Sequence, residues 1–132
     1  MPAAILARMI DHLSLGTRRY AEAVAFYRRV LAPLGVDLQR DTGAEAAFGT
    51  PEHWCFYVYP AEDGQNVTGN RTHVAWRAPT RGAVEAVHGA AMQAAGADLF
   101  TPRLRPDISA TYYGAMFTDL DGHRIEVKTE AG

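Results

Sequence analysis

Apolar and polar residues alternate along residues 9–15, so that Ile10, His12 and Ser14 share one face and Asp11, Leu13 and Leu15 the other, which predicts a strand. The period then changes. Ala23, Phe26, Tyr27, Val30, Leu31 and Leu34 recur at three- and four-residue spacing, predicting a helix over 19–34 that Gly35 stops. Short strands are expected at 36–41, 45–49 and 53–59. A stretch rich in Asp, Gly, Asn and Gln over 60–71 reads as a joining loop.

The same series restarts beyond that loop. Residues 72–78 read as a strand, and Pro79-Thr80 opens a helix reaching about Ala95. Val84, Val87, Ala91 and Met92 give it a buried stripe, and Gly96 ends it. Strands follow at 97–101, 111–118 and 123–128, with a loop over 102–110. Asp119-Leu120-Asp121-Gly122 forms a turn between the last two strands. A constant offset of 61 relates His12 to His73, Gly35 to Gly96, Asp37 to Asp98 and Leu38 to Leu99. Four identities at one offset indicate an internal duplication. The chain therefore reads as α+β, a single domain over 1–132 built from two β-α-β-β-β modules at about 8–59 and 71–129. Neither half can bury much core alone, so the halves must pair with each other or with a second chain.

Composition narrows the function classes. The 132 residues carry a formal charge of -2, which gives no general attraction to nucleic acid. No apolar run approaches the roughly 20 residues that span a bilayer. The first eight residues are too short and too soon interrupted to act as a secretory signal. Cys55 stands alone, which excludes an intrachain disulfide framework and makes a reducing cytoplasm the expected compartment.

The duplication places two histidines at matched positions, where they can converge on one point. In the last strand Arg124, Glu126 and Lys128 share a face, opposite Ile125 and Val127. With the apolar faces under the helices, His12, His73 and Glu126 turn into a shared concavity. Imidazole and carboxylate together suit a divalent metal ion. Ile10-Asp11-His12-Leu13-Ser14, Thr72-His73-Val74-Ala75-Trp76 and Asp119-Leu120-Asp121-Gly122-His123-Arg124-Ile125-Glu126-Val127 resemble, in this order, the signature stretches of the vicinal oxygen chelate superfamily. That group takes in glyoxalase I, bleomycin resistance proteins, extradiol dioxygenases and fosfomycin-resistance enzymes. Leu120 replaces the usual proline of the turn.

The resemblance implies two modules forming a curled mixed sheet around a cleft. It implies one divalent metal ion (iron, manganese, nickel, cobalt or zinc) held by His12, His73 and Glu126, a homodimer, and a small-molecule substrate chelated through two oxygens. The leading expectation is a lyase or isomerase that stabilises an enolate-type or alkoxide intermediate. The alternatives are an extradiol ring-cleaving dioxygenase and a non-catalytic drug-binding protein. Glyoxalase I also draws a carboxylate or glutamine from the last strand of the first module. Here that strand, 53–59, contains no carboxylate, and Glu52, His53, Cys55 and Tyr57 are the candidates for a fourth ligand.

Around this centre, Ser14 shares the face of His12 and reads with Tyr113 as catalytic. Because neighbouring strand residues point opposite ways, only one of Tyr112 and Tyr113 can face the concavity. Tyr112, Trp54 and Tyr57 are candidate substrate contacts. Arg103 and Arg105, on the loop before the tyrosines, can clamp an anionic substrate. His88 reads as an exposed helix residue, and His123 as a residue that orients the turn.

Overall fold

The computed structural model describes residues 9–132, so the reading of the first eight residues as too short for a signal lies outside the described residues. The first module comprises β1 (Leu13–Thr17), α1 (Tyr20–Leu31), β2 (Asp37–Asp41), β3 (Ala46–Thr50) and β4 (His53–Pro60). The second comprises β5 (His73–Arg77), α2 (Arg81–Gln93), β6 (Ala97–Leu104), β7 (Tyr113–Thr118) and β8 (Arg124–Thr129). The sheets have matching orders, β1-β4-β3-β2 and β5-β8-β7-β6. In each, the first strand runs parallel to the last and the other pairs are antiparallel. This is the expected α+β duplication.

The element ends depart from the sequence pattern for local reasons. β1 begins at Leu13, so His12 stands just ahead of the ladder. Leu13 pairs with Phe56, and a bulge opposite Phe48/Gly49 leaves Cys55 out of the β3–β4 pairing, so the ordered ladder ends there. α1 stops at Leu31 and tightens into a 3-10 turn over Ala32–Leu34, because Pro33 has no N–H for a helical bond. β6 runs through Pro102, which an edge strand tolerates, with register shifts on either side of Phe100.

The two matched glycines do different work. Gly35 adopts φ 72° and closes the turn with its N–H on the Ala32 carbonyl. At the end of α2 it is Ala95 that takes the left-handed conformation (φ 69°). Gly96 is required by close approach, since a Cβ there would lie 2.8 Å from the Thr118 carbonyl oxygen.

Both modules share one core. Phe26, Tyr27, Val30 and Leu31 of α1 meet Val84, Val87 and Ala91 of α2, with Phe48, Phe56 and Val58 from one sheet and Phe117, Ile125 and Val127 from the other. Phe26 packs against Phe117, and Phe56 against Trp76 with ring centroids 5.5 Å apart. His88 is buried, contrary to its sequence reading. Its Nε2 lies 2.7 Å from Asp98 Oδ1 and its ring meets Phe117 edge-on, tying α2 to β6.

The Asp119–Gly122 turn fastens one module to the other. Asp119 is buried and accepts from the Tyr27 hydroxyl of α1 and from the backbone N–H groups of Asp121 and His123. Asp121 accepts from the Thr17 hydroxyl and the Arg18 N–H, and His123 Nε2 donates to the Gly16 carbonyl at 2.8 Å. His123 thus orients the turn, as expected.

Candidate metal centre

Register decides which side chains share a surface. In the second sheet His73 pairs with Arg124, Ala75 with Glu126 and Arg77 with Lys128. These six occupy the face turned away from the core, since Ile125, Val127 and Thr129 between them are buried. Gly114 and Met116 continue that face across β7, and Arg103 and Phe100 across β6.

At its centre His73 Nε2 lies 3.3 Å from Glu126 Oε1. The Tyr112 hydroxyl donates to the other carboxylate oxygen, Oε2, at 2.8 Å. Burial, with the carboxylate beside it, pushes the Tyr112 phenol far above its usual range, so it stays protonated and acts as a donor. Gly114 makes this contact possible. A Cβ at that position would lie 2.5 Å from the Tyr112 oxygen and 2.7 Å from its ring carbons.

Tyr113 faces the other way. It begins β7 in register with the buried Thr129, its hydroxyl reaches Glu85 on α2 at 3.2 Å, and the Arg81 guanidinium lies 5.0 Å from its ring. Strand alternation therefore puts the catalytic candidate Tyr113 on the helix side and Tyr112 beside Glu126.

The first sheet presents an aromatic face. Ser14 pairs with Tyr57, and the Tyr57 ring stacks on Tyr59 and meets the His12 ring edge-on at 5.3 Å. Tyr59 donates to Glu45, Glu45 pairs with Arg40 at 2.6 Å, and Arg40 lies over the Trp54 ring at 4.9 Å. Strict alternation would put Trp54 and Tyr57 on opposite faces. The bulge that pairs Trp54 with Gly49 brings Trp54 round to the Arg40 side.

His12 is half-exposed, and its Nδ1 lies 2.7 Å from Asp11 Oδ2, a contact that also holds the Asp11 carboxyl below its usual range. His53 Nε2 donates to the Asp11 carbonyl at 2.7 Å. A cleft of about 290 Å³ between β1 and β5 is lined by His12, Asp11 and Cys55 on one side and by Val74, Ala75 and Trp76 on the other. Burial raises the Cys55 thiol pKa. Among the described residues, no three His, Cys, Asp or Glu side chains yet surround a common point. His73 and Glu126 are together, whereas His12 pairs with Asp11. Glu52 is exposed in the turn that precedes β4.

Arg103 and Arg105 lie over the Phe100 ring at 5.0 and 4.8 Å, and Arg105 is also held by Asp107 through two hydrogen bonds. Phe100, Met116 and Gly114 escaped the sequence reading. Arg124 and Lys128 were legible on the right face from period two but carried no assigned role.

The chain belongs to the Glyoxalase/Bleomycin resistance protein/Dioxygenase superfamily, whose pattern it matches over residues 9–127. No curated protein matches it. Its fold is that of a glyoxalase/bleomycin resistance protein from Albidiferax ferrireducens T118, with TM-score 0.81 at 23% identity over 92% of this chain and 98% of that one. A glyoxalase/bleomycin resistance protein/dioxygenase family enzyme from Burkholderia phytofirmans PsJN superposes with TM-score 0.70 at 16% identity, over 92% and 98% of the two chains. A genomically encoded fosfomycin resistance protein from Listeria monocytogenes does so with TM-score 0.65 at 15% identity, over 89% of each.

Proposed function

We propose that this chain is a divalent-metal-dependent enzyme acting on a small molecule, with His12, His73 and Glu126 as the ion's ligands. The observation that carries the reading is the pairing of His73 Nε2 and Glu126 Oε1 at 3.3 Å on an open sheet face, with Tyr112 fixing the second carboxylate oxygen. The donor set fits such an ion: one imidazole and one carboxylate are already adjacent, and a second imidazole, His12, lines a cleft with Ala75, the register partner of Glu126. His12 also has its Nδ1 held by a carboxylate, which is how metal-binding histidines are commonly oriented, leaving Nε2 free.

When bound, the ion would supply Lewis-acid stabilisation of negative charge on substrate oxygens, the chemistry of a lyase or isomerase. The protein's own residues do the rest. Tyr112 holds a proton against Glu126 and keeps that carboxylate oriented. Ser14 lies beside Tyr57 on the first sheet, and Tyr57, which packs against His12, offers with Trp54 an aromatic wall. Arg103 and Arg105 offer charge to an anionic substrate. A ring-cleaving dioxygenase would use the same three ligands.

A homodimer is part of this reading, supported by exposed Leu99 and Leu104 on the edge strand β6 and exposed Ile108 in the loop after it. No helix among the described residues is long and apolar enough to cross a membrane, and the lone thiol suits a cytoplasmic setting. The second reading, a metal-free small-molecule binder, draws support from His12 not being gathered with His73 and Glu126 into one cluster among the described residues.

The test is metal content of protein purified without chelator or affinity tag, beside His73→Ala. About one divalent ion per chain, lost in the variant, is expected. Absence of metal from both proteins after reconstitution would leave the binder as the better account.

A further inference from the structure

At the end of the second sheet, next to His73, a cleft of about 200 Å³ opens between the 68–72 loop and the β7–β8 turn. Its side chains are Thr68, Asn70, Arg71, Thr72, His123 and Arg124, with glycines completing the wall. No carboxylate lines it. Apart from His123, whose Nε2–H is given to the Gly16 carbonyl, every side chain in it is cationic or can donate a hydrogen bond. Arg71 and Arg124, like most arginines among the described residues, make no ion pair, and they are the two that border one cleft. Two guanidinium groups beside one small polar cleft, unmatched by negative charge, have the chemistry of an oxyanion site.

Backbone shape keeps the cleft open. Gly69 leaves room that a Cβ would take from the Thr72 hydroxyl, 2.5 Å away, and Gly122 adopts φ 93°. His123 is fixed by its bond to the Gly16 carbonyl. Arg124 is the register partner of His73 and shares the exposed face of Glu126, so a group held in the cleft lies beside the candidate metal ligands.

We propose that this cleft is an oxyanion subsite, in which Arg71 and Arg124 grip a phosphate, phosphonate or carboxylate group of a small anionic substrate. The cleft stands on its own geometry; its part in the reaction rests on the proposed role of His73 and Glu126. The substrate is then an anion at one end and an oxygen chelator at the other.

Inorganic phosphate titrated into the full chain at constant ionic strength, followed by amide NMR, tests this. Saturable shifts centred on the Gly69 and Gly122 amides are expected. Arg124→Met and Arg71→Gly should each weaken binding about tenfold or more. Arg71→Gly guards against misfolding, because Arg71 sits at φ 63°, a conformation glycine adopts freely. Arg29→Met, at an exposed arginine of α1 outside both sites, should leave phosphate binding unchanged. Absence of saturation, shifts centred elsewhere, or wild-type affinity in both arginine variants would overturn the subsite. Phosphate binding in a chain that takes up no metal would overturn the metal reading and leave the subsite standing.

Discussion

Tyr57 and Glu126 are the same position in the two modules. Tyr57 lies beside Ser14 on the parallel β1–β4 ladder, and Glu126 lies beside Ala75 on the parallel β5–β8 ladder. Ser14 and Ala75 are each two residues beyond the matched histidines. The place where a carboxylate would stand in a two-fold ligand set is thus filled by a phenol. His12 contacts Tyr57 through ring packing, while His73 faces the Glu126 carboxylate.

The first prediction concerns that asymmetry. If Tyr57 serves as substrate wall and not as fourth ligand, Tyr57→Phe keeps the ring and should leave metal stoichiometry and affinity unchanged. Chelator competition measures this. A marked loss of affinity would make the Tyr57 oxygen a ligand.

Tyr112 and Gly114 form a positioning pair. Tyr112→Phe removes the hydrogen bond to Glu126 Oε2 without removing the ring, and should lower metal affinity roughly 10–100-fold with the fold intact. Gly114→Ala places a methyl group against the Tyr112 ring and should cost about 1–3 kcal/mol of stability through overpacking. It should also lower metal affinity. Denaturant unfolding and chelator competition, run on both variants, separate the two effects. Equal metal affinity in Tyr112→Phe and the unsubstituted chain would remove Tyr112 from the site.

The sequence announced the repeated architecture clearly because two periods, 3.6 and 2, switch in the same order twice. It placed His73, Glu126 and Arg124 on one face because β5 and β8 are regular. Its failures sit where regularity breaks. The bulge opposite Gly49 moves Trp54 to the Tyr57 side and leaves His12 ahead of β1, and no hydrophobic pattern reveals a one-residue insertion. The choice between Tyr112 and Tyr113 turns on where β7 starts, and strand ends are poorly marked in sequence. Gly114 could have settled it: a glycine two residues after one tyrosine, inside a strand, signals a ring lying over the backbone. His88 was misread because Asp98, its partner, is ten residues away on another element.

Acid should reach the end of β8 late, after the unpaired carboxylates have taken up protons. Glu130 accepts hydrogen bonds from Lys128, Ser109 and Thr111, which together lower its pKa from the ordinary 4.5 to about 2. A depressed folded-state value means that the carboxylate stabilises the fold above about pH 4.5 and that this contribution is lost as pH falls toward 2. Side-chain carbon NMR should find the Glu130 midpoint well below those of unpaired glutamates. Lys128→Met, which removes the first of the three donors, should raise it. A Glu130 midpoint at the ordinary value in the unsubstituted chain would show the cluster does not persist in solution.

The last prediction asks whether one chain completes its own site. Phe56 and Trp76 touch across the module boundary on the core side, and His12 and Ala75 line the same cleft on the outer side. In the proposed reading His12 serves the His73 and Glu126 of its own chain, with Nδ1 still held by Asp11 and Nε2 turned to the ion. In a dimer of such chains, every chain carrying His12→Ala or His73→Ala has lost its site, whatever its partner. Coexpressed His12→Ala and His73→Ala chains should accordingly retain no more metal than either variant alone. If each site instead drew its first histidine from the other subunit, a mixed dimer would contain one whole site, because a two-fold interface repeats every contact with the subunits exchanged. Restored metal retention in the mixture would show that the cleft between β1 and β5 is completed across the dimer.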